Sequence, residues 1–226
     1  MKLSIIIPCY NEKAFLSEII KRVKNSPVAE KEIILVDDAS KDGTIELIRS
    51  ELEAEVDRVI YHQRNLGKGA AIRSAISLVT GDIVIIQDAD LEYDPQDYPK
   101  LMDPITDGRA DVVYGSRFLE MKRRKGFKFW HYIGNRFLTR LSNIFTGLNL
   151  SDMETCYKLF KREILQNIKL EQDGFGIEPE ITGKVARMGY RVHEVAISYD
   201  MRSYCRGKKI TWKDGLWAIY CILKYR

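Results

Sequence analysis

Short apolar runs alternate along the chain with stretches of helical periodicity. Residues 3–7, 33–36 and 83–86 are almost entirely apolar and largely β-branched, as is typical of parallel strands covered on both faces. Between these runs, apolar residues recur at helical spacing. The two stripes are Phe15, Ile19, Ile20 and Val23, and Ile72, Ala75, Ile76 and Val79. The alternation predicts βαβ units and an α/β fold with a doubly wound sheet.

The pattern changes after Tyr114. Residues 117–140 contain eight Lys or Arg, a single acid and several interleaved aromatic rings. A long helix is predicted to follow, then a helix over 178–188 and a short strand over 191–195. The last predicted element is a tail helix over 212–225, whose middle is apolar on nearly all sides. One face of the long helix is predicted to carry Ile133, Phe137, Leu141 and Ile144.

Composition and charge narrow the class of protein. The 226 residues are 45% hydrophobic and 30% charged, as in ordinary globular proteins. A net charge of +4 is too small to indicate a nucleic-acid partner. The four cysteines show no CxxC spacing, which favours reduced thiols in the cytoplasm. The longest apolar run, 216–223, is far shorter than the about 20 residues of a membrane span, and Pro8 ends the first run too early for a signal peptide.

Polar side chains follow the predicted strands at their carboxyl ends. Asn11 comes after the first strand, Asp38 after the second, and Asp88 and Asp90 after the third. In open α/β sheets, ligands bind outside these strand ends. We therefore expect the functional site at this edge of the sheet.

The segment Asp88-Ala89-Asp90 is the strongest local signal for chemistry. Two carboxylates one residue apart in a turn can both reach one hard cation, and Mg²⁺ or Mn²⁺ prefers such oxygen ligands together with substrate phosphates. Glu92 is a candidate third ligand, direct or through water. A loop with capping aspartates explains the pattern equally well, so both interpretations stay open.

Three further segments suggest a nucleotide. Tyr10 and Glu12 follow Pro8 at the mouth of the sheet and suit a base and a ribose, although a strand end with a helix N-cap at Asn11 explains them too. An acid after the second strand commonly binds ribose or base donors. Lys68 stands in a glycine-rich turn that lacks the phosphate-loop pattern; it either contacts a phosphate or is simply exposed, and the second interpretation is slightly favoured.

Taken together, these segments resemble a known family. The segments in question are IIIPCYNE, VDDASKDGT, RNLGKGAA, GDIVIIQDADLEYDP and VVYGSRF, extended by LSDMETCYKLF and GFGIEPEITGKVARMGY. Their order and spacing closely resemble the inverting GT-A glycosyltransferases of family 2, in the dolichyl-phosphate mannose synthase-like branch that makes polyprenyl-phosphate sugars. The resemblance covers residues 1–213. It implies a single Rossmann-like GT-A domain over 1–226, in which a mostly parallel sheet has helices on both faces. This domain would consist of a half that binds the nucleotide sugar (1–116), a half that binds the acceptor (117–211) and an amphipathic tail helix (212–226).

The resemblance also implies roles for individual positions. The residues expected to bind the nucleoside are Pro8, Tyr10, Glu12, Val36 and Asp38. Those expected to bind the diphosphate and the metal are Asp88, Ala89 and Asp90, and Glu92 is at the position of a further metal ligand. Those expected to bind the acceptor phosphate are Arg117, Arg136 and Thr139. A basic pair in the segment that closes over the donor matches Arg202 and Lys208.

The chemistry of the acceptor separates two versions of this enzyme. A hydroxyl acceptor needs a carboxylate base, for which Asp152 and Glu154 are the candidates. A phosphate monoester, with a second pKa of about 6, is already an anion near neutral pH and needs cations such as Arg to position it. The basic, aromatic stretch 117–140 fits the phosphate better, unless it is merely a solvated loop; Asp152 would then orient a basic residue.

The expected function is metal-dependent, inverting transfer of a hexose from a GDP-mannose or UDP-glucose type donor to a polyprenyl phosphate, with Mg²⁺ or Mn²⁺ as cofactor. The expected location is the cytoplasmic face of a membrane, to which the basic–aromatic stretch and the tail helix, or a membrane-anchoring partner, would attach the protein. An equally good interpretation of the tail helix is that it packs on its own domain. Two alternatives remain: a family 2 enzyme with a sugar-hydroxyl acceptor, and a catalytically inactive subunit that binds nucleotide sugars.

Overall fold

A mixed seven-stranded sheet forms the centre of the computed structural model, which describes residues 1–119, 129–200 and 212–226. The strands are β1 (Leu3–Cys9), β2 (Lys31–Asp37), β3 (Arg58–Tyr61), β4 (Ile83–Ile86), β5 (Val112–Ser116), β6 (Lys158–Lys161) and β7 (Val192–Ala196). Their order across the sheet is β3-β2-β1-β4-β6-β5-β7. β6 runs antiparallel to β4 and β5, and the other neighbours are parallel. The predicted mostly parallel α/β sheet is confirmed.

Helices connect the strands. They are α1 (Leu16–Lys24), α2 (Thr44–Leu47), α3 (Lys68–Ile76), α4 (Tyr98–Thr106), α5 (Phe129–Thr146), α6 (Arg162–Asn167), α7 (Ile177–Arg187) and α8 (Trp212–Lys224). A π-helical turn (Ile48–Leu52) and a 3₁₀ turn (Glu53–Glu55) extend α2, and a 3₁₀ turn (Pro95–Asp97) precedes α4. The helices predicted over 178–188 and 212–225 and the strand over 191–195 are confirmed within one or two residues.

The central strands are buried on both faces of the sheet. Every residue of β4 is buried, and in β1 only Pro8 is partly exposed. Because successive side chains of a strand point to opposite faces, this pattern requires cover on both sides. The aliphatic runs therefore predicted these strands correctly. β3, β5 and β6 were not predicted, since each is short and carries polar residues.

The outward faces of α5 and α8 are apolar. Ile144 of α5 is 75% exposed, and Trp212 and Leu216 of α8 are 73% and 58% exposed. α8 packs against α5 and α7, and its residues Ala218, Cys221 and Ile222 are buried. Among the predicted α5 face, Leu141 packs on the core while the other three side chains are exposed. Within the described ranges, no helix combines the length and apolarity that crossing a membrane requires.

Candidate functional site

The predicted polar residues gather at one edge of the sheet. β1 lies between β2 and β4 and is parallel to both, so their carboxyl ends meet. Asn11, Asp38, Asp88 and Asp90 directly follow these three ends. The strand order therefore brings the predicted donor segments together at one edge.

Asn11 ties the loops after β1 and β2 to each other. Its backbone N–H donates to Ser40 Oγ at 2.8 Å, and its Oδ1 accepts from the Lys41 backbone N–H at 2.7 Å. Asn11 and Ala39 both have positive φ angles, 52° and 59°, which are uncommon for residues other than glycine. The interpretation of Asn11 as a helix N-cap is wrong, because α1 begins at Leu16 without a side-chain cap.

Asp38 holds the turn that leads into α3. Its buried carboxylate accepts hydrogen bonds from the backbone N–H groups of Leu66 at 2.8 Å and Gly67 at 2.7 Å. His62 Nδ1 lies 2.7 Å from Asp38 Oδ1, and His62 Nε2 lies 2.9 Å from Ser74 Oγ. The carboxylate thus positions the start of α3, and its contact with a nucleoside stays a prediction.

The backbone of this turn needs glycine. Gly67 has a φ of 99°, and a Cβ at Gly67 or Gly69 would overlap the carbonyl groups of Asp173 and Gln172. Close packing of the turn on the segment before α7 explains both glycines. It also fixes the direction in which Lys68 leaves the helix.

Lys68 forms an ion pair with the first aspartate of the DxD segment. Its Nζ lies 2.8 Å from Asp88 Oδ1 and 3.3 Å from Glu178 Oε1, and its side chain is only 14% exposed. The interpretation of Lys68 as an exposed residue is therefore wrong. Burial alone would lower the pKa of Lys68, but the charges of Asp88 and Glu178 raise it well above the ordinary value. Lys68 is therefore a fixed cation at the centre of the site.

Two of the predicted metal ligands, Asp90 and Glu92, accept hydrogen bonds from the protein itself. Asp90 Oδ1 accepts from the Glu92 backbone N–H at 3.0 Å, and Glu92 Oε2 accepts from the Tyr199 hydroxyl at 2.6 Å. In the part of the chain that the structure describes, no three His, Cys, Asp or Glu side chains converge as a metal site. Mg²⁺ commonly takes one or two carboxylates and completes its shell with substrate phosphates and water. Asp88 and Asp90 fit that requirement, since Asp88 already accommodates a cation.

Arg117 is held by Asp152. Nε and Nη2 of Arg117 donate to the two carboxylate oxygens of Asp152 at 2.7 and 2.8 Å, and the Arg117 backbone N–H donates at 3.0 Å. Glu194 fixes this aspartate in turn by accepting from the backbone N–H of Asp152 at 3.0 Å. The Arg117 guanidinium also lies over the Tyr199 ring, 5.2 Å from its centroid. Both carboxylate oxygens of Asp152 are therefore engaged in positioning Arg117.

A buried tyrosine cluster connects the DxD segment to Arg117. Gln87, directly before Asp88, accepts from the hydroxyls of Tyr98 and Tyr157 at 2.6 Å each. The Tyr93 hydroxyl accepts from the Cys156 backbone N–H at 3.1 Å. Neighbouring rings in the cluster are 4.6 to 5.8 Å apart. No sequence signal marked these residues, because buried tyrosines and a strand glutamine resemble ordinary core.

Among the carboxylates of the site, Glu154 has a buried oxygen, Oε1, for which the described residues supply no hydrogen-bond partner; the hydroxyl of the neighbouring Thr155 is in the same position. Burial, and next the charge of Glu178, raise the pKa of Glu154 to about 7, against the opposing influence of Lys158 and Arg117. The next acid along the site, Glu178, is paired with both Lys158 and Lys68. Glu154 is thus a carboxyl group whose protonation changes near neutral pH.

The other predicted residues are placed as follows. Thr139 is buried, and its Oγ1 accepts from the Met153 backbone N–H at 3.1 Å, so in this arrangement it orders the loop beside Asp152. Arg136 is half-buried on α5. Arg202 and Lys208 lie outside the described residues, as do residues 120–128 of the basic stretch.

The remaining donor candidates lie around the strand ends. Pro8 pairs with Val36 across β1 and β2. Val36 and Ala89 are buried, Glu12 is nearly so, and Tyr10 is half-buried. Their contacts with a nucleoside stay predictions.

Comparison with known proteins gives the fold and the family. The chain is similar to glucosyl-3-phosphoglycerate synthase of Mycobacterium tuberculosis, in complex with Mn²⁺, UDP and glucosyl-3-phosphoglycerate, with a TM-score of 0.76, 19% identity and coverage of 99% of this chain and 79% of that one. This likeness establishes the GT-A fold.

Curated relatives extend the comparison. Glycosyltransferase AglJ of Haloferax volcanii is 31% identical over 86% of this chain and 62% of its own length. The dolichol-phosphate mannosyltransferase of Pyrococcus furiosus is 28% identical over 100% of this chain and 64% of its own length. The chain thus spans less than two thirds of the length of these curated relatives. Residues 4–169 match the family model described as glycosyl transferase family 2, and the chain belongs to that family.

Proposed function

We propose that this protein transfers a sugar from a nucleotide-diphosphate sugar to a polyprenyl phosphate, with Mg²⁺ or Mn²⁺ as cofactor. The observation that carries this proposal is the pairing of a donor end, Asp88 and Asp90 after β4, with an acceptor end, the Arg117 guanidinium fixed by Asp152. Family membership supports the reaction type. The names of relatives from Pyrococcus furiosus and Aeromonas hydrophila, a dolichol-phosphate and an undecaprenyl-phosphate transferase, support the acceptor class.

The donor end is proposed to bind the diphosphate. Asp88 and Asp90 would hold the divalent cation, which when bound neutralises charge on the departing nucleoside diphosphate. Lys68 stands at Asp88 with its own positive charge, so it is close enough to contact the same phosphates. The loops after β1 and β2, which Asn11 connects, would contact the nucleoside.

The acceptor end is proposed to bind a phosphate monoester. An arginine fork matches two phosphate oxygens at once, and Asp152 keeps the plane of the Arg117 guanidinium fixed. The bound phosphate attacks the anomeric carbon in line with the departing diphosphate, and the configuration inverts. No base is required, since the phosphate is already an anion near neutral pH.

A hydroxyl acceptor remains the second candidate because of Glu154. Asp152 is engaged with Arg117, which leaves Glu154 as the base candidate, and a pKa of about 7 suits a general base at neutral pH. This version of the reaction predicts that the loss of Glu154 lowers kcat by about 10²–10⁴-fold.

We further propose that the protein works at the cytoplasmic surface of a membrane. The helices α5 and α8 contact each other, and each carries exposed apolar side chains; Lys213, Lys224 and Arg226 are exposed on or beside α8. Apolar side chains flanked by basic ones suit a bilayer interface with anionic lipids. A polyprenyl phosphate would be present at that same surface. A membrane-anchoring partner is the alternative, and it predicts no binding to vesicles by the isolated protein.

The test is a transfer assay with labelled GDP-mannose and UDP-glucose, Mn²⁺ and a short polyprenyl phosphate. The proposal predicts a lipid-linked sugar with one of these donors and none with the matching polyprenol, which lacks the phosphate. Transfer to the polyprenol or to a glycan would favour the hydroxyl candidate. Nucleotide binding without any transfer would favour an inactive binding subunit.

A further inference from the structure

Residues 152–158 connect the two ends of the proposed active site. At one end, Asp152 holds Arg117 through two hydrogen bonds. At the other end, Lys158 is fully buried and paired with Glu178. The segment therefore runs from the acceptor cation towards the donor side.

Glu178 also connects this segment to the donor side of the site. Glu178 Oε1 lies 3.3 Å from Lys68 Nζ, which lies 2.8 Å from Asp88 Oδ1. Glu154 stands between these two ends in the chain, and both Glu178 and Arg117 act on its charge. A sugar that passes from a diphosphate at Asp88 to a phosphate at Arg117 would cross the region between these two ends.

The carboxylates around this path differ in their partners. Asp152 is paired with Arg117, and Glu178 is paired with two lysines. Glu154 Oε1 is buried, and no residue in the described part of the chain forms a hydrogen bond with it. An unsatisfied buried oxygen destabilises the folded protein, so Glu154 is better explained by a ligand than by folding.

The chemistry of the ligand follows from that oxygen. A carboxylate oxygen accepts hydrogen bonds and repels phosphate. The ionised carboxylate is therefore an unfavourable partner for the phosphates of both substrates, whereas the hydroxyl groups of the transferred sugar are donors. We propose that Glu154 accepts a hydrogen bond from a hydroxyl group of the sugar being transferred and thereby helps to select that sugar. This inference rests on the proposed function, since it requires a nucleotide-sugar donor.

The test compares nucleotide sugars with the bare nucleotides. Calorimetry in the presence of Mn²⁺ measures the affinities for GDP-mannose and GDP, and for UDP-glucose and UDP. The variants are Glu154→Leu, which removes the acceptor, Glu154→Gln, which keeps one neutral acceptor, and Glu163→Gln, an exposed control on α6.

Glu154→Leu should weaken binding of the nucleotide sugar about tenfold or more, as expected for a hydrogen bond to a charged group, and leave binding of the bare nucleotide unchanged. Glu154→Gln should lose less, and Glu163→Gln should lose nothing. Because Glu154→Leu removes an unsatisfied oxygen, its thermal unfolding temperature without ligand should equal or exceed that of the wild type.

Three outcomes would overturn the inference. Unchanged affinity of Glu154→Leu for the nucleotide sugar, in a protein whose wild type makes lipid-linked sugar, defeats this inference and leaves the proposed function standing. An equal loss for sugar and bare nucleotide, with a lower unfolding temperature, assigns Glu154 a structural role. A wild type that binds neither nucleotide sugar defeats this inference together with the proposed function.

Discussion

Lys68 Nζ lies 2.8 Å from Asp88 Oδ1, so the chain itself places a positive charge on the first aspartate of its DxD segment. The pair joins the first residue of α3 to the carboxyl end of β4. A divalent cation that binds Asp88 has to share this carboxylate with the lysine. We therefore expect Lys68 to oppose metal binding in the absence of nucleotide and to favour binding of the diphosphate.

Lys68→Met should separate these two effects. Mn²⁺ should bind the nucleotide-free variant about tenfold more tightly, because a competing charge a few ångströms away is worth on the order of 1 kcal/mol or more. GDP and UDP should bind more weakly, since a phosphate contact is lost. Electron paramagnetic resonance of free Mn²⁺ and calorimetry measure the two affinities, with Lys21→Met on the exposed face of α1 as control. Unchanged values for both ligands would refute the role of Lys68.

Asp152→Asn tests how Arg117 is positioned. The substitution leaves a buried guanidinium without its counter-charge, and loss of one partner of a buried pair costs about 3–5 kcal/mol. The free energy of unfolding in urea should fall accordingly, and the KM for polyprenyl phosphate should rise while the KM for the donor changes little. Asp107→Asn is the matched control, because Asp107 pairs with Arg109 at the surface and surface pairs contribute only about 0–1 kcal/mol. Equal effects of the two substitutions would contradict this account.

Glu32 should make stability depend on pH in the acid range. Burial raises its pKa, but hydrogen bonds from Ser4, Thr80 and Lys2 outweigh burial and lower the pKa from 4.5 to about 2. A carboxylate with a lowered pKa stabilises the fold above pH 4.5, and that contribution is lost as the pH falls towards 2.

Glu32→Gln should therefore lower the free energy of unfolding by about 1.5–3 kcal/mol at pH 7. The difference from the wild type should shrink between pH 4.5 and 2, as measured by urea unfolding at a series of pH values. A difference that stays constant over this range would show that the carboxylate charge is not the cause. Because Glu32 stands near the amino end of β2, donor affinity should not change.

The apolar face of α8 should bind anionic vesicles. Replacing the exposed Trp212 and Leu216 together by serine removes two large apolar side chains, each contributing about 1.5–3 kcal/mol when fully buried, and should lower co-sedimentation with phosphatidylserine-containing vesicles at least tenfold. Met188→Ser, an exposed apolar residue outside α5 and α8, is the control. No binding by the wild type would favour an anchoring partner.

The strand ends of this site could be predicted from sequence because the evidence is local. Uninterrupted aliphatic runs predict β1, β2 and β4, and parallel strands carry their following polar residues to one edge. Asp88 and Asp38 could therefore be assigned to the same edge before their contacts were known. The pairing of Asp88 with Lys68 could not be predicted from sequence. Lys68 approaches Asp88 because Gly67 and Gly69 pack closely on a segment that is distant in sequence.

The residues on the acceptor side depend on contacts far apart in sequence. Lys158 is fully buried in β6, which a strand pattern cannot indicate because lysine is ordinarily exposed. Its burial depends on Glu178, twenty residues further on. The engagement of Asp152 with Arg117 and the burial of Glu154 Oε1 likewise depend on tertiary packing.

The central claim is that Asp88 and Asp90 hold a cation needed for loss of the nucleoside diphosphate. The most direct measurement is Mn²⁺-dependent formation of lipid-linked sugar by the wild type and by Asp90→Asn, with Asp103→Asn, at an exposed position of α4, as control. The account predicts that a chelator abolishes transfer by the wild type and that Asp90→Asn loses about 10²–10³-fold in kcat, while the control is unaffected. Turnover by Asp90→Asn at the wild-type rate would contradict it.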